Sequence, residues 1–319
     1  MDAHHISDTI TDGHPTVTLS AAGAQVDATF APTLGMIGCS LRHHGVELLG
    51  QRGGLAKYAD SGSTMGIPLL HPWANRLSGF SYTVAGRSVT LDPRSAALHH
   101  DANGLPMHGL VAAYPRWRPR ERRADAHAAR LGATLDFGAD PALLAAFPFP
   151  HTLALDVELR GATLAVAATV RPTDDVAVPV SFGFHPYLQI PDAARAEWQV
   201  TAPVRRRLLL DAHMIPTGQS EATAIEPGRL GDRVFDDLFT DLDRPVRFTL
   251  AGGSRRITVA FDDGYRFAQL YAPAGEPLIC FEPMTAPTNA LVSGGPSLSL
   301  VAPGHDYRAV FSITIDDTP

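Results

Sequence analysis

Only two cysteines, Cys39 and Cys280, occur among the 319 residues. Each lies inside an apolar segment, so a disulfide framework is excluded, a reducing compartment is suited, and both thiols read as core side chains. No apolar run approaches the ~20 residues of a membrane-spanning helix. The opening Met-Asp-Ala-His-His-Ile-Ser-Asp has neither the basic nor the apolar region of a signal peptide. The expected setting is the cytoplasm, without a membrane partner. Concentrated positive charge is missing as well: the formal net charge is −7 and is spread along the chain, which argues against nucleic acid. Helical periodicity is nearly absent, with Pro141–Ala146 the best candidate. There is no βαβ alternation, no internal repeat, no Gly-rich phosphate loop and no nucleophile elbow.

What the chain does contain is strand after short strand. Val17–Leu19, Gln25–Phe30, Met36–Leu41, Ser81–Val84, Leu153–Glu158, Leu164–Val170, Arg256–Phe261, Phe267–Tyr271, Leu278–Glu282 and Tyr307–Ile315 are apolar or alternating, with turn residues between them. The 26 prolines and 28 glycines fit many turns and few helices. These features predict an all-β protein, a large antiparallel β-sandwich, with residues 1–319 as one domain and 1–14 a poorly ordered extension. The charge run Arg116–Arg123 reads as a solvated edge strand or turn.

The stretch Ser181–Pro191 delivers one histidine to a fixed place. Val178, Val180, Phe182 and Phe184 fall at every second position, so Ser181, Gly183 and His185 share the opposite face. Two small residues beside His185 are expected to leave room above the sheet for a ligand. Four further stretches can carry chemistry. Asn75 and Arg76 follow Trp73 in a loop, and Arg76 offers a planar fork of donors suited to hydroxyl or carboxylate oxygens. His108 precedes a glycine, Asp236 and Asp237 stand between aromatics, and Glu282 ends an apolar strand. A carboxylate there is expensive unless it has a partner or a purpose.

His-Pro-Tyr at 185–187, Ala-Asn-Arg-Leu at 74–77, His-Gly at 108–109, Ile-Pro-Thr-Gly at 215–218 and Phe-Glu-Pro at 281–283 follow one another as in aldose 1-epimerases. From about Val17 to its end the chain resembles this galactose mutarotase-like family. The resemblance implies a β-sandwich whose concave face binds a free sugar, with Glu282 as general base and His185 as general acid. It further implies sugar contacts from Asn75, Arg76 and His108. Asp236 resembles the family's sugar-binding aspartate, with Asp237 as the alternative, and Gln269-Leu-Tyr271 resembles a Gln-aromatic-Tyr sugar contact of some members. The chain departs from galactose mutarotases proper in carrying Gly-Phe-His-Pro-Tyr-Leu where they have an Asn-His-Ser-Tyr-Phe-Asn type of segment, and Asp236-Asp237 where they have an acid followed by histidine. It therefore resembles a relative within the superfamily rather than a close galactose enzyme.

The chemistry of mutarotation suits these residue types. One group removes a proton from the anomeric hydroxyl and another supplies one to the ring oxygen. The ring opens, the C1–C2 bond turns, and the aldehyde recloses on its other face. Glutamate, with an ordinary pKa of ~4.3, and histidine, at ~6.5, divide this labour. Their proximity is expected to lower the glutamate pKa and raise that of the histidine. No cofactor and no metal is required, and the expected partner is a small free aldose, the protein being a monomer or homodimer. Two other readings stand beside this one. One is a sugar-binding or sensing module without turnover, although a binder has no need of an acid and a base together. The other is a metal-dependent sugar-modifying enzyme using His99-His100, His108 and Glu282 as a two-histidine, one-carboxylate site.

Overall fold

The computed structural model describes residues 4–318. Strand His151–Arg160 buries Leu153, Leu155, Val157 and Leu159 and leaves the residues between them half-exposed, the period of a strand with one buried face. It sits in a nine-stranded sheet ordered Arg118–Ala124, Ala129–Asp136, His151–Arg160, Thr163–Pro172, Tyr307–Asp317, Arg255–Asp263, Val246–Gly252, Gln199–Ala202 and Ile225–Arg229. An eight-stranded sheet runs Pro216–Ala222, Val204–Leu210, Phe235–Leu242, Phe267–Ala272, Ile279–Met284, Gly183–Phe184 and Leu69–Leu70, with Tyr187–Leu188 also pairing on Ile279–Met284. The two sheets pack face to face. Phe248 of the first stacks on Phe281 of the second at 5.1 Å, and Phe311 lies 5.0 Å from Phe184. Aromatic contacts of this kind add to an already large burial of apolar area.

A five-stranded sheet holds His4–Thr11, His14–Ala21, Val26–Ala31, Ile37–His43 and Val46–Glu47. The first of these corrects the expected loose extension, since residues 4–11 pair with the next strand along their whole length. Asp12 and Gly13 both take positive φ, 48° and 81°, the backbone of a tight hairpin turn. Hydroxyls of Thr9, Thr16, Thr18 and Thr29 then hydrogen-bond in a ladder across the strands. Residues 1–3 of that stretch lie outside the described residues. Helix Pro141–Ala146 forms where expected, its Asp140 side chain accepting from Ala142 N, and Arg118–Ala124 is the exposed edge strand anticipated from its charge. The helix Gly54–Ser61, which buries only Leu55 and Tyr58, has too short an apolar stripe to stand out in the sequence.

Beneath the eight-stranded sheet lies a pair of buried histidines. Nε2 of His71 is 2.8 Å from Nε2 of His151, and His151 Nδ1 donates to Phe149 O at 2.6 Å. That second bond places the His151 proton on Nδ1, so its Nε2 accepts and His71 Nε2 must donate. Both rings are neutral: burial pushes His71 well below the usual imidazole range and His151 down to about 4. A folded pKa below the unfolded ~6.5 means that the unfolded chain takes up protons first as pH falls. Stability is therefore complete above pH ~6.5 and lost as pH falls from there to about 4, by ~3 kcal/mol from His151 alone. We predict that His71→Gln/His151→Gln, although less stable at pH 7, loses less stability than the parent over this interval. Denaturant melts at stepped pH test this, and parallel losses in both proteins would refute it.

Candidate active site

The eight-stranded sheet sorts its side chains by alternation. Along Phe267–Ala272, Ala268, Leu270 and Ala272 enter the core, while Gln269 and Tyr271 point to the opposite face. Along Ile279–Met284, Ile279 and Phe281 enter the core and Glu282 faces outward. Register then places groups side by side. Gln269 pairs with Glu282, Asp236 with Tyr271, and Tyr187 with Cys280. His185, between Gly183–Phe184 and Tyr187–Leu188, joins the same face.

The segment from Gly66 to Leu77 continues the edge of this sheet, its Leu69–Leu70 strand pairing with Gly183–Phe184. Ala74 N donates to Ser181 O at 2.7 Å, His185 N to Pro68 O at 3.2 Å and Tyr187 N to Gly66 O at 2.8 Å. A Cβ on Gly183 would come within 2.7 Å of Pro283 O and 3.1 Å of Ala74 Cβ. The small residue therefore serves this close approach of loop and strands rather than a ligand, which corrects the expectation for Gly183. Asn75 and His108 both have left-handed backbones, φ 57° and 63°, and His108 N donates to Asn75 O at 2.8 Å. Gly109 follows with φ 73°, and a Cβ there would lie 2.1 Å from His71 O. Two non-glycine residues held in a costly conformation by their neighbours are typical of functional sites.

His185 Nε2 lies 3.2 Å from Glu282 Oε1, and both side chains are nearly sealed, 7% and 2% exposed. His185 stacks on Tyr187 with ring centroids 4.3 Å apart and 12° between planes. His108 meets it edge-on at 5.7 Å. The Tyr187 hydroxyl is 2.6 Å from Thr64 Oγ1 and accepts from Arg52 at 3.3 Å. Burial pushes the Glu282 carboxyl well above the usual range, helped by the charge of Asp236 and opposed by Arg76. Burial and the neighbouring His108 push His185 well below its usual range. Both directions oppose the ion pair expected from proximity, because removing two charges from water outweighs their mutual attraction. Burial thus favours a carboxylic acid beside a neutral imidazole over the ion pair.

These groups line a cavity of about 400 Å³ that contains all seven expected residues: Asn75, Arg76, His108, His185, Asp236, Gln269 and Glu282. Asp236 accepts from Gln269 Nε2 at 2.6 Å, whereas Asp237 forms an ion pair with Arg207 at 3.1 Å and does not line the cavity. The register of the strand decides between the two acids. Arg76 donates to Asp101 at 2.7 Å and to Asn75 Oδ1 at 2.8 Å. Burial alone would raise Asp101, but hydrogen bonds from Leu105 N, Arg76 and Asn103 N hold it below the usual carboxylate range. His99 and His100 reach the cavity wall, yet they form no ligand set with His108 and Glu282. Among the described residues the one group of ligating atoms close enough to share an ion is His43, His44 and Asp317. Arg52, Thr64, the Tyr187 hydroxyl and Asp101 were not singled out from the sequence. Each acts through loop neighbours far apart in the chain, and only the Asp-Ala-Asn-Gly turn at 101–104 carried a local signal.

Residues 9–314 match the family model for aldose 1-epimerase. The chain belongs to the aldose 1-epimerase family. Its fold is shared by a galactose mutarotase-like protein from Clostridium acetobutylicum, with 17% identity, a TM-score of 0.86 and 100% of each chain covered. A protein from Synechocystis sp. PCC 6803 aligns at 24% identity and TM-score 0.77, over 97% of this chain and 98% of its own. Galactose 1-epimerase from Lactobacillus acidophilus NCFM aligns at 14% identity and TM-score 0.76, covering 99% of both. No curated protein matches the sequence significantly.

In this member of the family, the electrostatics of the floor can be tested without substrate. Asp236 is itself raised by burial, with Arg76 and Gln269 opposing, and its negative charge is one cause of the raised Glu282. Asp236→Asn is therefore expected to lower the Glu282 pKa. Carbon-13 NMR titration of the glutamate carboxyls, assigned through Glu282→Gln, reads this directly. An unchanged or raised Glu282 midpoint would show that the Asp236 charge does not reach it.

Proposed function

We propose that the chain interconverts the α and β anomers of a free, unphosphorylated aldose by acid–base ring opening. The observation that carries this reading is the buried 3.2 Å approach of His185 Nε2 and Glu282 Oε1 on the cavity wall. The anomeric oxygen and the ring oxygen are bonded to the same carbon, so two adjacent proton-transfer groups can serve both. Glu282 takes the proton of the anomeric hydroxyl while His185 gives one to the ring oxygen. Closure on the other face reverses both transfers, starting from carboxylic acid and neutral imidazole. The state favoured by burial is thus one of the two that the cycle needs, and a shift of the shared proton between the groups gives the other. Asn75, Arg76, His108, Asp236 and Gln269 hold the sugar hydroxyls.

The charges around the cavity support a neutral substrate. The charge of Arg76 is balanced by Asp101 at 2.7 Å, and that of Arg52 by Glu276 at 3.4 Å. A phosphate dianion is usually met by several free cations or a helix N-terminus. No helix among the described residues is long and apolar enough to cross a membrane, and both cysteines are free and buried. The proposed setting is the cytoplasm, the protein working as one catalytic domain, monomeric or dimeric.

Exchange NMR of the two anomers across a panel of aldoses tests the proposal. Glu282→Gln and His185→Asn are each expected to slow the catalysed exchange by ~10²–10⁴ while retaining sugar binding, as for loss of one positioned proton-transfer group. Near parental exchange in Glu282→Gln, after subtraction of the spontaneous rate, would remove the base from the scheme. The pair functions with one proton, so the rate is expected to be bell-shaped in pH, its limbs belonging to the pair as a unit. Acid adds a second proton to the depressed imidazole, placing that limb below the ordinary histidine range. Alkali removes the last proton from the raised carboxyl, placing the other limb above the ordinary glutamate range. A kcat/KM ten or more times higher for an aldose 6-phosphate than for the free sugar, ~1.4 kcal/mol at the transition state, would overturn the substrate class.

A further inference from the structure

His43 ends the strand Ile37–His43, and His44 follows in the turn with φ 51°. Successive residues of an extended strand face opposite ways. The left-handed backbone at His44 instead brings the rings together, centroids 4.1 Å apart. Asp317, at the end of Tyr307–Asp317 in the nine-stranded sheet, meets both. Its carboxylate oxygens lie 3.9 Å from His43 Nδ1 and 3.7 Å from His44 Nε2. These separations are too long for hydrogen bonds. They suit donors around one ion, since ligand atoms each ~2.0–2.2 Å from a metal can stand as far as ~4 Å apart.

Two further observations point to a ligand. His43 is 3% exposed, and its Nδ1 has no hydrogen-bond partner. His44 Nδ1 is 2.7 Å from Gln25 Oε1. In the neutral ring that bond puts the proton on Nδ1 and aims the Nε2 lone pair toward Asp317, as an outer-shell partner does for a metal-binding imidazole. The His44 Nε2 lone pair and the carboxylate it faces repel unless a cation lies between them, and His43 Nδ1 is free to turn a lone pair to the same ion. Arg255, the cross-strand neighbour of Asp317, forms its ion pair with Asp192. None of the three residues lines the sugar cavity.

We propose that His43, His44 and Asp317 form a binding site for a divalent transition metal. Two imidazoles and one carboxylate suit Zn²⁺, Ni²⁺ or Cu²⁺ and are poorly matched to the all-oxygen preference of Ca²⁺ or Mg²⁺. Because the ligands come from two sheets, a bound ion fastens the last strand to the five-stranded sheet. Binding to the folded state alone raises its stability by mass action.

The test uses the tag-free full chain stripped with chelator, titrated with Zn²⁺ against a chromophoric competitor. One equivalent should bind on the order of 100-fold or more tightly than to Asp317→Asn or His44→Gln. Gln25→Ala should weaken binding by ~10–100-fold, the usual effect of losing an outer-shell partner. Added Zn²⁺ should raise the thermal midpoint of the parent but not of Asp317→Asn, and the Cu²⁺ paramagnetic resonance signal should show two imidazole nitrogens, reduced to one in His44→Gln. Tandem histidines at 4–5 and 99–100 bind ions weakly in all variants and set the background. Equal affinity in parent and Asp317→Asn, or an unchanged two-nitrogen signal in His44→Gln, overturns the site.

Discussion

A carboxyl and an imidazole 3.2 Å apart and almost closed to water are expensive to keep together, and the surrounding structure is arranged to hold them. Burial of an ionised pair costs several kcal/mol per charge before attraction returns any of it. Burial accordingly disfavours both charged forms, raising the pKa of Glu282 and lowering that of His185. The position of the pair is fixed by groups outside it: the Tyr187 ring stacked on His185, the Thr64 and Arg52 bonds to that ring's hydroxyl, and the ladder that pairs Gln269 with Glu282. The nine-stranded sheet contributes at one remove. By packing Phe248 on Phe281, it anchors the strand that carries Glu282.

Backbone strain supplies the other half of the site. Asn75 and His108 stand in left-handed conformations, joined by the bond from His108 N to Asn75 O. Side chains of this kind enter that region at a cost of ~1–3 kcal/mol. Gly109 lets the second loop lie against His71 O, and His71 is in turn held by His151. The cavity-lining loop thus rests on the buried polar contact between His71 and His151.

Much of this was legible in the sequence because a strand has period two. The alternation around Phe182 and Phe184 placed His185 on the face opposite the core, and the apolar run before Glu282 showed a carboxylate entering a dry place. Choosing between Asp236 and Asp237 required the register of Phe235–Leu242 against Phe267–Ala272, which no local pattern states. Gly183 misled because a small residue signals close approach without saying what approaches. The direction of the pKa shifts was missed for a physical reason. Proximity and burial push the pair opposite ways, and the sequence shows who the neighbours are more readily than how completely water is excluded.

The two buried histidine contacts differ in what surrounds them. His71 and His151 are as deeply buried as His185 and also neutral. Their shared contact, however, is closed on the His151 side: Nδ1 donates to Phe149 O and Nε2 accepts from His71, whose own Nδ1 has no partner. Moving the shared proton would break a bond already made, and neither histidine lines the cavity that His185 lines. His185 stacks on Tyr187, its Nδ1 has no partner, and its Nε2 faces a carboxyl on the same cavity wall. A polar group positioned by aromatic packing rather than by saturating hydrogen bonds keeps its capacity to exchange a proton with whatever enters. His151 is stacked as well, on Phe137 at 4.5 Å, but its Nδ1 also donates to Phe149 O, whereas His185 Nδ1 has no partner and its Nε2 faces the Glu282 carboxyl.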